Sequence, residues 1–560
     1  MERSKQSIRP GLPKSRQEEI QTLMRDDFQS WRASCGEIWQ SDVAGSARRV
    51  DVDHRKPSWE TFATTNPVVV DGKRVGNGVR GCIAFCKSPC AFKIQTRGTG
   101  CSHCALSIGN KSFSAVRPED QIAAVENAIA GITKSLGYTP PVVELLPDGS
   151  FLHEEEVSAE ALAGIFKVLS KNDSVLRIAI ESRPEYITAQ KIRDLLKLIR
   201  DDQSLEIYIG LESIDPFVLD KIIGKGFTVD QFEKKMKEIS DELSAEEKRR
   251  LNFSLYHFFK PPYLTEKESI DAAIAMGEKV KEYGAKTGMH FSVKYEPAVI
   301  SDGTFQKYLF DREKFTPPSY FSIAEVVALA ERHGFSNLIK FGQRDDIDDF
   351  QTVAAIPDIN NPRMFSPFDF MVYNAVQRFN ADQDIFGFCA DMEVVIENSP
   401  EFKKWEVSAY GGIGGSALSQ LFAEFKKSEH DGDYKDRVVF QKDLWKVLDQ
   451  IEYNHELSKQ VSSQGKECPS GIEAKLISLF LQANIKVLQI KGIKFFDIGR
   501  ITNAPKLQNC HPDFADATQE AVYQIEVVIE NEARLPQSVW AKIPLNPIDI
   551  DLGKFDFIYG

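Results

Sequence analysis

Between residues 78 and 300 the sequence changes its hydrophobic period at regular intervals, and that rhythm restricts the fold more than any other feature. Short runs rich in β-branched and aromatic residues stand at 80–85, 142–147, 175–181, 205–211, 251–259 and 289–295. Stretches of helical period separate them, at 118–136, 158–170, 188–200, 228–241 and 265–283. Runs this short suit strands, whereas apolar residues recurring every three or four places make the buried stripe of a helix. Start signals agree: Ser158 precedes AEALAGIF, and Thr265 to Glu268 reads as a capping box. Strand and helix in strict turn give an α/β fold, a parallel sheet with helices outside it. Six strands are too few to close an eight-stranded barrel, so the expectation is an open or partial one. In such folds chemistry gathers at the carboxyl ends of the strands.

The segment after the first strand is the richest in chemistry. Residues 81–104, GCIAFCKSPCAFKIQTRGTGCSHC, hold five of the nine cysteines. Cys101-Ser-His-Cys104 is a C-x2-C pair, and Cys90 precedes it at a spacing of C-x10-C. Two thiolates so spaced converge on one metal centre from a single turn. Three cysteines leave an iron open on a four-iron cluster, whereas Cys86 as a fourth would close a structural zinc site. Gly98 and Gly100 suit a backbone that turns through positive φ around such a core. The other strand ends are polar too: Pro147-Asp-Gly-Ser150, Glu181-Ser-Arg-Pro-Glu185, Gly210-Leu-Glu-Ser213, His257-Phe-Phe-Lys260 and Lys294-Tyr-Glu296. Singly these would cap helices or face water. Together they describe a mouth lined with hydrogen-bonding groups, a position that a purely structural zinc knuckle does not need.

Composition narrows the function classes. A net charge of −13 disfavours broad, non-specific binding to nucleic acid, while leaving room for a local basic groove. No apolar run is long enough to cross a bilayer, and the first nineteen residues lack the apolar core of a signal peptide. With an odd number of cysteines, a cytoplasmic protein without membrane contact is expected. Residues 18–40 read as a helix. The basic residues before Glu18 read as a solvated tail or a short arm for RNA, and 41–75 as an irregular lead-in. The expected division is an extension at 1–77, a barrel at 78–335, and an α/β accessory domain at 336–560 that grips substrate or covers the barrel mouth. In the last, Glu-Val-Val-Ile-Glu-Asn occurs at 393–398 and again at 526–531, both copies reading as strands. Asp345 to Asp349 reads as a solvated acidic loop, Gly411 to Gly415 as a turn before a helix at 416–427, and 471–483 as a further helix.

The order of these motifs resembles the radical S-adenosylmethionine (SAM) enzymes, in the branch that includes the Elongator catalytic subunit and the radical SAM component of archaeosine synthase. The resemblance rests on the cysteine loop, Gly149-Ser-Phe-Leu-His153, Glu181-Ser-Arg-Pro-Glu-Tyr186, Ile209-Gly-Leu-Glu-Ser213 and Lys260-Pro-Pro-Tyr-Leu-Thr-Glu266. It implies a TIM-like partial (βα)6 barrel and a 4Fe-4S cluster held by Cys90, Cys101 and Cys104, roofed by residues such as Phe92 and Ile94. SAM would be chelated at the open iron and cleaved to a 5′-deoxyadenosyl radical. Gly149 and Ser150 would lie near its amino group, Glu181 and Glu212 would accept from its ammonium or ribose, and Arg183 would pair with a carboxylate or an anionic substrate. His257 and Lys260 become candidate substrate contacts, and His103 should point away from the cluster. The implied partners are a flavodoxin- or ferredoxin-type electron donor, tRNA carrying a 7-deazaguanine derivative, and a partner modification enzyme. The chain departs from the family in lacking C-x3-C-x2-C, in having DGS where GGE is usual, and in its extra Cys82 and Cys86. Two other readings stand beside this one: a radical SAM enzyme acting on a metabolite, nucleoside or peptide, and a non-catalytic scaffold with zinc on Cys86, Cys90, Cys101 and Cys104.

Overall fold

The computed structural model describes residues 11–40, 58–65, 68–70, 73–75, 79–86, 90–106, 117–136, 138–342 and 367–427, positions 438 and 442, and strands at 487–496, 522–530, 536–544 and 557–559. The chain divides into two compact units, residues 1–355 and 356–560.

The first unit opens with helix α1 (Lys14–Gln40). Strand β1 (Ser58–Thr65) and a small hairpin, β2 (Val68–Val70) and β3 (Lys73–Val75), lead to β4 (Val79–Cys86). Then come α2 (Ala91–Gln95), α3 (Pro118–Leu136), β5 (Val142–Pro147), α4 (Ala159–Ser170), β6 (Arg177–Glu181), α5 (Ala189–Leu198) and β7 (Ser204–Glu212). After these follow α6 (Val229–Glu242), α7 (Ala245–Arg249), β8 (Leu251–Phe259), α8 (Glu266–Thr287) and β9 (His290–Pro297). The unit ends with α9 (Phe305–Phe310), α10 (Tyr320–His333) and β10 (Ile339–Phe341). All six expected strands are present, with their ends shifted by no more than two residues. Ser158 caps α4, and Thr265 with Glu268 forms a full capping box on α8.

Strands β4 to β10 lie in sequence order, all parallel, and curl into a half barrel. Two strands depart from expectation. Strand β1 lies in the stretch read as irregular; its residues are mostly polar, and it is set by antiparallel pairing along β4 rather than by periodicity. Strand β10, three residues long, is too short to carry a period-2 signal, and it adds a seventh parallel strand beside β9.

The two faces of the sheet differ chemically. Val143, Leu145, Ile178, Ile180, Ile207 and Leu255 are fully buried on one face. The other carries Cys82, Glu144, Glu206, Tyr208 and Ser254, also buried but hydrogen-bonded to one another. Tyr208 on β7 donates to Glu144 on β5 at 2.7 Å, reaching over β6, and Tyr256 on β8 donates to Glu181 on β6 at 2.7 Å, reaching over β7. Such reaches need an inward curl. A flat parallel sheet would leave these groups buried and unsatisfied.

Helix α1 is no loose extension. Ile20, Met24 and Trp31 are buried in a cluster with Phe305 and Leu309, and Trp31 donates its indole N–H to the Gly303 carbonyl. Arg16, expected in a solvated tail, pairs with Glu268 at 2.8 Å and donates to the Tyr263 carbonyl. The basic residues at positions 3, 5 and 9 lie outside the described residues.

The second unit holds helices α11 (Pro367–Asp382), α12 (Ile385–Asn398), α13 (Pro400–Tyr410) and α14 (Ala417–Phe425). It also holds an antiparallel sheet of β11 (Val487–Phe496), β12 (Val522–Glu530), β13 (Pro536–Pro544) and β14 (Phe557–Tyr559). Among the described residues of this unit the helices precede an antiparallel sheet, where an α/β accessory domain is expected. The repeated Glu-Val-Val-Ile-Glu-Asn is also corrected: residues 393–398 end α12, while 526–530 lie in β12. Asp384 caps α12 by accepting from the Phe386 N–H, and 385–398 continue as one helix, so neighbours outside the repeat override its strand propensity. The glycines at 411–415 do form a turn before α14, with Gly411 and Gly414 at positive φ. The acidic run at 345–349 and the helix at 471–483 lie outside the described residues.

Trp31→Ala should destabilise the first unit by about 3–5 kcal/mol, the usual cost of emptying a buried aromatic site; chemical denaturation followed by tryptophan fluorescence and far-UV circular dichroism measures it.

Candidate functional site

The cysteine segment runs across the carboxyl ends of the parallel strands. Cys90 stands at the N-terminus of α2 as its N-cap residue, in extended backbone. Beyond α2 the backbone turns through Arg97, Gly98 and Gly100, all at positive φ, and delivers Cys101 and Cys104. The turn is pinned at Ser102. Its N–H donates to the Ile223 carbonyl at 2.8 Å, its hydroxyl donates to the Ile222 carbonyl at 2.7 Å, and its carbonyl accepts from the Phe305 N–H. Ile222 and Ile223 end a π-helical turn over Val218–Ile223. Cys101 is buried in the same cluster as α1, with Cys104 and Phe92 against it.

The three thiols lie within each other's electrostatic reach, since Cys101 and Cys104 both disfavour the thiolate of Cys90. Burial pushes the Cys90 thiol up to about 12, opposed by the Lys93 backbone N–H that donates to its sulfur. Burial raises Cys104 as well, opposed by the Lys93 ammonium and the Leu106 N–H. Lys93 is itself buried and donates to the carbonyls of Cys104 at 3.1 Å and Leu106 at 2.5 Å. In the metal-free chain the Cys90 and Cys104 thiols keep their protons near neutrality, and a metal must displace those protons to bind.

Around the thiols stands a ring of buried charge. Arg183, after β6, stacks its guanidinium on Phe92 at 4.2 Å, donates from Nε to Glu185 and donates from Nη2 to the Lys225 carbonyl at 2.8 Å. Its backbone N–H donates to the Ser150 hydroxyl, and Cys101 and Cys90 both favour its charge. Glu212, at the end of β7, takes the Lys225 ammonium at 2.9 Å, with His103 Nε2 at 3.6 Å. Burial opposes ionisation of Glu212, but Lys225 and His103 outweigh it and hold the carboxyl low; the same pairing outweighs burial at Lys225 and raises its ammonium. A side chain on Gly210 would collide with this pair, its Cβ falling 2.5 Å from both Glu212 Oε1 and Lys225 Nζ. Glu212 sits at φ +64°, unusual for a residue with a Cβ and characteristic of strained functional loops.

Glu156 completes the ring. One carboxylate oxygen accepts from the Ser150 N–H at 2.5 Å, and the other from the Ala91 N–H at 3.2 Å. Burial pushes Glu156 up to about 8 against the pull of those two N–H groups. A Cβ on Gly149 would fall 2.3 Å from Glu156 Oε2.

The structure thus brings Cys90, Cys101, Cys104, Gly149, Ser150, Arg183 and Glu212 to one end of the sheet. Glu181 lies at the same end, its carboxylate accepting from Tyr256. Lys260, a candidate substrate contact, is buried. Its ammonium is clamped by Glu266 at 2.6 Å and by the carbonyls of Thr316 and Pro317. His257 is buried with its ring edge-on to Tyr295, whose hydroxyl donates to the Ala273 carbonyl in α8; it belongs to the helix-covered face. His103 stacks on Phe258 and turns its Nε2 toward Glu212. Cys82 donates to Glu144 inside the barrel at 3.3 Å, and the side chain of Cys86 lies outside the described residues. Two contributors escaped the sequence reading, Lys93 and Lys225, and Glu156 stood in the acidic stretch 154–156 behind the Gly149–His153 motif without a role of its own. The one signal for them was Gly224-Lys225-Gly226, a lysine held between two glycines, both at positive φ.

Among the described residues, no three His, Cys, Asp or Glu side chains are gathered closely enough to hold a single metal ion. Ligands of a polynuclear cluster bind different irons and stand farther apart. Three thiols within electrostatic reach of one another, with N–H donors to two sulfurs and buried cations beside them, are soft donors that suit iron–sulfur or zinc rather than an oxygen-bound cation.

No family model matches the chain. A 185-residue stretch, 33% of the chain, is 32% identical to an uncharacterized protein of Methanocaldococcus jannaschii and covers 47% of that protein. Archaeosine synthase subunit beta of Thermococcus kodakarensis is 28% identical over 276 residues, 49% of this chain and 76% of that one. The corresponding subunit of Methanosarcina acetivorans is 25% identical over 213 residues, 38% of this chain and 57% of that one. The chain thus spans about half the length of the first of these relatives.

Lys225→Met should cost about 3–5 kcal/mol, because it leaves Glu212 buried without its ammonium; urea unfolding of the metal-free protein checks this.

Proposed function

We propose that this chain is a radical SAM enzyme that modifies a tRNA base on the route to archaeosine, a 7-deazaguanine derivative. One observation carries the reading: Cys90, Cys101 and Cys104 meet at the carboxyl end of a parallel half barrel, ringed by Arg183, Glu212 and Lys225. The likeness to two archaeosine synthase beta subunits supports the substrate class.

On this reading Cys90, Cys101 and Cys104 hold a 4Fe-4S cluster. When bound, cluster and SAM supply the one-electron cleavage of the sulfonium that yields a 5′-deoxyadenosyl radical, with the electron coming from a flavodoxin- or ferredoxin-type donor. The chain's own residues do the rest. Lys93, Arg183 and Lys225 offset the negative charge of three thiolates in a buried site. N–H groups of Lys93 and Leu106 bond to the sulfurs and tune their basicity. Phe92 stacks on Arg183 and shields this side of the site from water. Glu181 and Glu212 are the carboxylates at the strand ends available to an ammonium or a ribose diol, and Ser150 keeps Arg183 in register with β5.

Anaerobic reconstitution with iron and sulfide, followed by SAM and dithionite, should give a brown protein that releases 5′-deoxyadenosine. Cys101→Ala or Cys104→Ala should abolish that product, and Cys82→Ala should retain it. Adding tRNA that carries the 7-deazaguanine precursor should alter that nucleoside by mass spectrometry. A colourless protein with stoichiometric zinc and no deoxyadenosine would establish the scaffold reading instead. Deoxyadenosine formed with no change to tRNA would move the substrate to a metabolite, nucleoside or peptide.

A further inference from the structure

We infer that Glu156 is a positioning residue for Cys90: a buried latch that fastens the start of the cysteine loop to the end of β5. The geometry is that of a two-pronged acceptor. Ala91, the residue after Cys90, donates its N–H to Glu156 Oε1 at 3.2 Å, and Ser150 donates its N–H to Oε2 at 2.5 Å. The two amides come from segments that share no other bond through these groups, one opening α2 and one closing the turn after β5.

The latch is itself held from behind. The carbonyl of Glu156 accepts from the Gln121 side chain of α3 at 3.2 Å, and its N–H donates to the His153 carbonyl at 2.9 Å. Its side chain is 1% exposed. The site accepts no substitute. Gly149 leaves room for the carboxylate that any Cβ would remove. An amide has one acceptor oxygen, so a glutamine would satisfy one N–H and turn its own N–H2 on the other. An aspartate keeps the charge but loses one methylene of reach. Cys101 and Cys104 need no such help, since Ser102 already pins their turn through three hydrogen bonds. Cys90 lies twelve residues away from that anchor, and the side-chain bond that reaches its neighbour Ala91 comes from Glu156. Without it, Cys90 would lose its place relative to the other two thiols. The inference rests on the proposed function for its purpose, but not for its test.

The test is residue-resolved alkylation of the iron-free full chain by N-ethylmaleimide at pH 8, read by mass spectrometry. Glu156→Gln and Glu156→Asp should each speed the labelling of Cys90 about tenfold relative to Cys101 and Cys104, as loss of a buried hydrogen bond opens the segment locally. Unchanged rates, equal acceleration at all three cysteines, or an aspartate variant that labels like the parent would overturn the latch; the last would leave only an effect of charge. Hydrogen exchange in the unmodified protein stands even if both variants misfold. The Ala91 and Ser150 amides should exchange as slowly as those in the middle of β5, and rapid exchange at Ala91 would refute the inference. If the parent takes up no cluster on reconstitution, the proposed function fails, while the labelling ratios still decide the role of Glu156.

Discussion

A parallel sheet that buries charged and hydroxyl groups on one face must curve until those groups can reach one another, and the rest of the first unit depends on that constraint. Glu144, Glu206, Tyr208 and Ser254 are withdrawn from water along with the leucines and isoleucines of the opposite face. The bonds from Tyr208 to Glu144 and from Tyr256 to Glu181 each pass over a strand. Leaving either carboxylate unsatisfied would cost on the order of 1–3 kcal/mol or more. The curl is therefore tied to the polar network, and it brings the strand ends together as a mouth.

At that mouth the same rule acts on ionisable groups. Arg183, Lys225, Glu212 and Glu156 are buried, and each is held by partners from a different segment of the chain. Such pairs add little net stability against an apolar alternative, but breaking one is costly. They act as registration marks, fixing the loops after β4, β5, β6 and β7 to one another. The left-handed backbone at Glu212 and Lys260, each on the order of 1–3 kcal/mol uphill, persists because those side chains are tied down.

The sheet and its helices were legible because burial on one face leaves a clear period in the sequence. Every expected strand and helix of the barrel formed close to its expected limits. What failed lay beyond the reach of local pattern. Strand β1 is specified by its neighbour β4, and β10 is too short to have a period. Glu-Val-Val-Ile-Glu-Asn shows the limit most plainly, with one copy helical and the other extended. At the site, the cysteines and Arg183 stood out by type and spacing. The partners of Lys260, Glu266 and two carbonyls, could not be read from type and spacing.

The sequence by itself determined the alternating fold and the thiols that follow its first parallel strand, because hydrophobic period and residue type are local properties. Only the tertiary structure decided which charged groups surround those thiols. Lys93 and Lys225 look ordinary in the chain, since sequence distance conceals the partners that hold a buried charge. Glu156 meets Ala91 from 65 residues away, and the parallel pairing of β4 with β5 closes that gap.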